Sequence, residues 1–562
     1  MSRITVVVWV VFFTALPAAR AADDPPVPAA ASAAGAVQGA AGAGSSVAGD
    51  FDGDGRADLA IGVVGEDVNG HVDAGAVNVL YGSATGLKST GNQFWSQDSP
   101  GVADASEDSD FFGAALAAGD FNADGFSDLA VGAPSEDLSG FLGGTISDAG
   151  AINVLYGTPT GLTANGNQFF TQDTQFVLEG SETGDNFGMV LAAANFGGSS
   201  HDDLAIGVPR EGLGSEGQSG VVHVLFGSIT GLTANGAQLW DEDSSGLLTD
   251  GVEGGDNFGD SLAAANLGKS ALADLAIGIP LEDVESPSTI DDMGAVLILY
   301  GSAKGPAAAG NQVWTQDSAG VEDAAEEGDA FGFSLAGANF GKSSFADLAI
   351  GVTAETVGTA QGAGAVNVLY GSTNGLSATG DQFWSQNSPG ILDQAEGAAD
   401  PDDNTDVFSW SLTVGDFGKG LQSDLAIGVQ GENVAGKHDV GAVNVLYGSA
   451  TGLVAKGNQF WNQDSPGVLD VAEAQGAGAT GDLLGEAVLA ADFGKSGRDD
   501  LAIGVPSEDI GTITEAGAVN VLYGSTTGLT ATGDQFWHQD SAGIKDVAEE
   551  DDVFGFALSG TR

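Results

Sequence analysis

The sequence predicts an all-β protein: a seven-bladed β-propeller with four antiparallel strands per blade. Three observations carry that expectation. The phrase Asp-Leu-Ala-Ile-Gly recurs at Asp58, Asp203, Asp274, Asp347, Asp424 and Asp500, and Asp-Leu-Ala-Val-Gly stands at Asp128. The copies are spaced 70, 75, 71, 73, 77 and 76 residues apart, so one unit is repeated seven times. Each unit holds four short apolar or aromatic runs, and no segment sustains a helical period.

The second repeat shows the elements in order. Phe112-Gly113 opens the apolar run Ala114 to Ala118, and an acidic turn spans Asp120 to Gly125. The run Leu129 to Ala133 follows and is ended by Pro134. After a polar loop come Gly150 to Gly157, a turn at Thr160-Gly161-Leu162, and Asn167 to Asp173. Each run is bounded by Gly, Pro, Asn or Asp, as short strands are. Four strands per repeat fit one propeller blade.

Single side chains repeat as well. All six tyrosines (Tyr81, Tyr156, Tyr300, Tyr370, Tyr447, Tyr523) precede a Gly, and Phe226 fills that slot in the third repeat. Trp95, Trp240, Trp314, Trp384, Trp461 and Trp537 share a second slot, with Phe170 in repeat two. These rings read as inter-blade packing, with a binding ring as the alternative.

The chain ends predict how the circle closes. Phe554 to Gly560 match the start of a repeat, and the first repeat begins at Gly49-Asp50 without that strand. Residues 553–560 are therefore expected to supply the first strand of blade one, leaving no open edge. The alternative is that Ser45 to Gly49 fills the slot.

Met1 to Ala21 reads as a signal peptide: a basic start, an apolar core from Ile4 to Leu16, and a small-x-small site at Ala19-Arg20-Ala21. Residues 22–46, rich in Ala, Gly and Pro, read as a linker, and 47–562 as the propeller. No further span-length apolar stretch follows, so the expectation is a secreted or surface-located monomer without a transmembrane segment. There are no cysteines, which excludes disulfides and thiol chemistry. The net charge of −63, from 78 acidic against 15 basic residues, argues against nucleic-acid partners. It favours divalent cations and basic partners, or simply solubility and salt adaptation.

Two turns carry metal chemistry. Asp50, Asp52, Asp54 and Asp58, with Gly55, and Asp120, Asn122, Asp124 and Asp128, with Gly125, place oxygen ligands at positions 1, 3, 5 and 9 and glycine at 6. Calcium takes six to eight oxygens, and the Gly permits the sharp turn. Backbone carbonyls of Arg56 and Phe126 are expected to add a ligand each. Two Ca2+ sites are expected, in blades one and two, with an empty Asx-rich turn as the alternative. The other five repeats lose the acids at positions 3 and 5, and four carry a lysine at position 4: Lys269, Lys342, Lys419 and Lys495. These ammonium groups are expected to neutralise the retained position-9 Asp in place of the ion, or else to lie exposed. Both ions are expected beside the closure seam, where calcium would stabilise the joint.

These residues resemble the FG-GAP repeats of the integrin alpha-subunit head. Phe112-Gly113 is the FG, and Gly132-Ala133-Pro134 the GAP, with Gly207-Val208-Pro209, Gly278-Ile279-Pro280 and Gly504-Val505-Pro506 as variants. The resemblance implies a seven-bladed propeller with calcium between the first two strands of a blade, and recognition or cell adhesion. The family tends to hold its calcium in later blades, whereas here the acid sets are in the first two. Without an inserted adhesion domain, leg or cytoplasmic segment, the chain looks like the free-standing secreted FG-GAP proteins of microbes.

No catalytic set emerges, so the chain is not expected to be an enzyme. His71, His201, His223, His438 and His538 occupy different repeat positions, and no nucleophile elbow or zinc helix motif occurs. The pairs Glu66-Asp67, Glu136-Asp137, Glu282-Asp283 and Glu508-Asp509 are expected to face solvent. Ligand readings are an unknown protein at the propeller face, a glycan in a lectin-like mode, or a structural surface or matrix role. The variable loops Leu138 to Ala149, Glu282 to Met293 and Ala395 to Asp406 are candidate ligand loops.

Overall fold

The computed structural model describes residues 49–560 apart from 141–142, 250, 284–289, 398–404 and 474–480. The expected signal peptide, the linker and Arg562 lie outside the described residues, as do parts of the three variable loops.

Seven four-stranded antiparallel sheets form, and each is one blade. Blade two runs Ala115–Gly119, Asp128–Ala133, Ala151–Tyr156 and Thr163–Phe170. Its loop between the second and third strands adds a small hairpin, Leu138–Ser139 with Thr145–Ile146, which the sequence reads only as a variable loop.

The expected closure is observed. Phe554–Ser559 pairs antiparallel with Leu59–Val63, with Ala60 opposite Ser559 and Ile61 opposite Leu558. Gly49 lies beside Gly560 rather than forming a strand of its own. The first strands of the blades also lie against one another in a circle. Phe554–Ser559 touches Ala115–Gly119 on one side and Val488–Ala491 on the other. Among the described residues, no blade seam is left open.

Packing explains the strand sequences. Second and third strands such as Asp128–Ala133 and Ala151–Tyr156 are buried at every residue, because neighbouring blades cover both faces. They therefore read as continuous apolar runs instead of alternating ones. Fourth strands such as Lys88–Trp95 form the rim, where polar residues suit an edge. The cores lie between blades: Val77, Val79 and Tyr81 of blade one pack with Leu116, Leu129 and Val131 of blade two.

The Gly of the Asp-Leu-Ala-Ile-Gly phrase has a steric cause. A methyl at Gly62 would collide with the Gly113 carbonyl of the next blade, and Gly132 meets Gly188 in the same way. Blades pack with backbone against backbone at this point, so the sheets need a residue without Cβ there.

Six seams carry the same clamp from tyrosine and glutamine. Between blades one and two, the Tyr81 hydroxyl donates to Gln93 Oε1. Gln93 Nε2 donates to the Leu162 carbonyl at 2.8 Å, and Leu162 N–H donates back to Gln93 Oε1 at 3.0 Å. Each clamp thus locks one blade's rim to the turn of the next. The tyrosines are buried, as the packing reading expects. The six tryptophans are half-buried, and their indole Nε1 atoms are buried.

Candidate metal loops

Position 2 of every loop is a buried apolar anchor: Phe51, Phe121, Phe196, Leu267, Phe340, Phe417 and Phe493 are all fully buried. Burying one such side chain stabilises by about 1.5–3 kcal/mol. The anchor pins the loop, so the acids on either side hold fixed positions.

The position-9 aspartate is a brace in all seven blades. Asp58 Oδ2 accepts from Phe51 N–H at 2.8 Å, and Oδ1 from Gly82 N–H at 2.8 Å. Asp128 repeats the pair with Phe121 and Gly157, both at 3.0 Å. Asp424 does so with Phe417 at 3.0 Å and Gly448 at 2.9 Å. This explains the Asp of the recurrent phrase in blades that lack the other acids.

In loop one, Asp50 accepts from Asp54 N–H at 2.9 Å and from Gly55 N–H at 2.8 Å. Asp52 Oδ1 also accepts from Asp54 N–H, at 3.1 Å. One carboxylate oxygen from each of Asp50, Asp52 and Asp58 lies within 4.8 Å of the other two. An ion with oxygens at about 2.3–2.6 Å spans such separations. Asp54 stands outside this group: its Oδ1 accepts from Arg56 N–H at 3.0 Å, and its Oδ2 lies 3.8 Å from the Arg56 guanidinium. Loop two repeats the turn, with Asp120 accepting from Asp124 and Gly125 at 3.1 Å, and Asn122 from Asp124 at 2.8 Å. Asp124 Oδ1 accepts from Phe126 N–H at 3.0 Å.

Burial and crowding oppose ionisation. Burial raises Asp50, Asp52 and Asp120 above the ordinary carboxylate range, and raises Asp58 well above it. Burial pushes Asp128 up to about 8, with Asp120 and Asp124 adding to the rise. A cation among these oxygens would favour the ionised forms.

The loops are joined to one another around the ring. Asp50 C=O accepts from Ser127 N–H in blade two at 3.0 Å, and Asp492 C=O of blade seven accepts from Ala57 N–H at 3.0 Å. The Phe126 ring covers Gly53, so loops one and two touch. Loop one also meets the closure strand, since Gly560 packs on the Asp58 carbonyl.

The four position-4 lysines turn back instead of extending into solvent. Their Nζ atoms sit 3.7, 3.4, 3.6 and 3.2 Å from the ring centroids of Tyr300, Tyr370, Tyr447 and Tyr523. Each also donates to a glycine carbonyl, as Lys419 does to Gly457 at 2.6 Å. Burial lowers the lysine pKa, while Asp274, Asp347, Asp424 and Asp500 oppose that shift. The lysines therefore act on the position-9 Asp through space and on tyrosine by direct contact. No direct Lys–Asp ion pair forms there among the described residues. All four lysines are left-handed at φ 60–69°, as is Ala123 at 55°.

The recurrent Glu-Asp pairs correct an expectation: their first acid does not face solvent. Of the four pairs, Glu66, Glu136, Glu282 and Glu508 are all buried, and so are Glu211, Glu355 and Glu432 at the equivalent position of the other repeats. Each of these except Glu282 accepts from a glutamine of the preceding blade, as Glu355 does from Gln316 at 2.7 Å. A buried aspartate of the same blade adds its charge, and Asp110 is the charge that acts most strongly on Glu136. Burial pushes Glu136 to about 9 and Asp110 to about 7. The sequence signal for this site is a Glu eight residues after each phrase Asp, in all seven repeats.

The comparisons with known proteins agree with this geometry. A family model described as FG-GAP repeat matches residues 112–155. Phosphatidylinositol-glycan-specific phospholipase D of Bos taurus is 31% identical over 177 residues, covering 32% of this chain and 19% of that protein. Integrin alpha-PS2 of Drosophila melanogaster is 28% identical over 237 residues, covering 42% of this chain and 15% of that protein. The chain thus spans about a fifth of the length of the phospholipase relatives it matches. Among solved structures, an exotype rhamnogalacturonan lyase, YesX, aligns over 85% of this chain and 73% of that one. Its TM-score of 0.35 and 10% identity make a likeness too loose to assign chemistry. Phe112-Gly113, the acid loops and the closed seven-blade ring agree with the FG-GAP match at residues 112–155, and the chain folds as an FG-GAP-type, integrin-like β-propeller.

Proposed function

We propose that the protein is a secreted, calcium-binding propeller that recognises a protein or other surface ligand through one face of the ring. The observation that carries the calcium part is the convergence of Asp50, Asp52 and Asp58 oxygens within 4.8 Å on a loop pinned by Phe51. Calcium held there, with Asp54 and the Arg56 carbonyl as further ligands, would brace the joint between the closure strand and blade one. Asp120, Asn122, Asp124, Asp128 and the Phe126 carbonyl would do the same one blade on. Recognition is supported by the likeness to integrin alpha chains and by rigid blades that present variable loops. No helix among the described residues is long and apolar enough to cross a membrane. The basic start and apolar run of Met1 to Ala21, read as a signal peptide, support export.

A binding role is favoured over catalysis. The phospholipase likeness covers a third of this chain and a fifth of that protein. Of the histidines, His223 is buried against Phe187, and His71 faces the exposed Asp108 at 3.1 Å. A lectin mode that stacks sugars on the recurrent tryptophans is disfavoured, because their indole nitrogens are buried between blades.

The test is binding of the 22–562 protein to a mixed glycan and matrix-protein array, in calcium and in chelator. Calcium-dependent capture by a protein class supports the proposal, and capture by glycans alone supports the lectin alternative. No binding by the folded protein in either condition overturns the recognition reading and favours a structural role.

A further inference from the structure

We propose that the buried acid clusters at the blade seams are additional calcium sites, separate from the two loops, and that one of them lies between blades six and seven. Gln463 comes from the end of blade six, while Asp482 and Glu508 belong to blade seven. Their exposures are 2%, 0% and 1%.

Each side chain is held at one end and offers an oxygen at the other. Gln463 Nε2 donates to Glu508 Oε2, and Asp482 Oδ2 accepts from Glu473 N–H at 2.6 Å. Gln463 Oε1, Glu508 Oε1 and Asp482 Oδ1 are buried acceptors without a hydrogen-bond donor. An amide carbonyl oxygen and one donor-free oxygen from each of two carboxylates are hard oxygen ligands of the kind calcium takes. Left alone, three such buried acceptors carry an uncompensated desolvation cost. Asp470 is exposed and acts on Glu508.

The same construction recurs. Gln97, Gln172, Gln316, Gln386 and Gln539 likewise have a buried Oε1 without a donor. Between blades four and five, oxygens of Glu326, Asp329 and Glu355 lie within 4.8 Å of one another. Between blades three and four, the glutamine is replaced by Glu242, which converges with Asp256 and Glu282 to the same limit. That replacement adds a third buried carboxylate to a site that already has two. A shared proton neutralises such a group poorly, whereas a divalent cation accommodates it.

The assignment is tested by calcium stoichiometry on the full chain. The protein is freed of metal, dialysed against calcium with excess magnesium and salt, and assayed for bound calcium. The parent should hold more than two ions per chain. Asp482→Asn with Glu508→Gln should remove one, and Asp50→Asn with Asp120→Asn should remove loop ions independently. The seam changes are isosteric and remove buried charge, so the fold should persist, and a cooperative melt checks that. Terbium emission excited through Trp461, two residues before Gln463, should fall in the seam variant and not in the loop variant. Two or fewer ions in the parent, or a seam variant equal to it in both readouts, overturns the seam assignment and leaves the loop reading to its own variant.

Discussion

Phe226 of blade three packs against the turn that holds Pro306 of blade four. At the six other seams a tyrosine hydroxyl stands in this place, and a leucine N–H faces the clamp. Here the hydroxyl and the N–H are missing together. The cost is visible at Gln238, whose Nε2 still reaches the Pro306 carbonyl at 3.2 Å while its buried Oε1 has no donor.

Phe226→Tyr should therefore be neutral or stabilising by up to about 1 kcal/mol, because the new hydroxyl can donate to Gln238 Oε1. Tyr300→Phe, at an intact clamp, should destabilise by about 1 kcal/mol. Denaturant midpoints of the two variants should move in opposite senses or differ by that amount. Equal destabilisation would contradict the clamp.

Asp424→Asn should cost about 1–3 kcal/mol. Both carboxylate oxygens accept backbone N–H groups from Phe417 and Gly448. The amide keeps one acceptor and turns its NH2 on the other donor. A denaturant midpoint unchanged from the parent would show that the Asp is dispensable.

Lys419→Met keeps the aliphatic stem and removes the ammonium 3.6 Å from the Tyr447 centroid. The expected loss is about 0.5–1 kcal/mol, as for cation–π contacts at exposed sites. The loss should shrink little with added salt if tyrosine contact dominates. A loss abolished by salt would instead assign the effect to Asp424.

The braces also fix a pH dependence. In blades without acid loops, burial pushes Asp203, Asp274 and Asp347 to about 7, Asp424 to about 8 and Asp500 to about 9. Their unfolded value is about 3.9. The folded state thus binds more protons than the unfolded state between those limits. Their stability contribution is complete below about pH 4 and is lost as pH rises through 7 to 9. Melting in chelator should fall steadily from mild acid to about pH 9, and self-repulsion of the acidic surface acts in the same direction. A melting temperature that rises over that range would contradict the account.

Much of this was legible in the sequence, for reasons that differ by element. The ring and its closure followed from the spacing of one phrase and from the partial repeat at Phe554 to Gly560. The turns at Asp50 and Asp120 stand out because their oxygen-bearing side chains alternate within nine residues, with glycine at position 6. The seam acids are hidden in the sequence, because Glu136 beside Asp137 looks like surface in one dimension. Only the approach of Gln97 from the preceding blade shows that it is buried. The position-9 Asp reads as a metal ligand from two loops, and its brace to Phe51 and Gly82 is a backbone relationship that spacing does not reveal. The lysines read as partners of an Asp, and the tyrosine they cover comes from a distant part of the same blade.

The most direct measurement is amide exchange of the closure strand Phe554–Ser559 in calcium and in chelator, in the parent and in Asp50→Asn with Asp120→Asn. If loop calcium braces the joint, the strand should exchange markedly more slowly in calcium, and the loop variant should lose most of that protection. Equal exchange of the parent strand in both conditions would contradict the claim that calcium holds the ring closed.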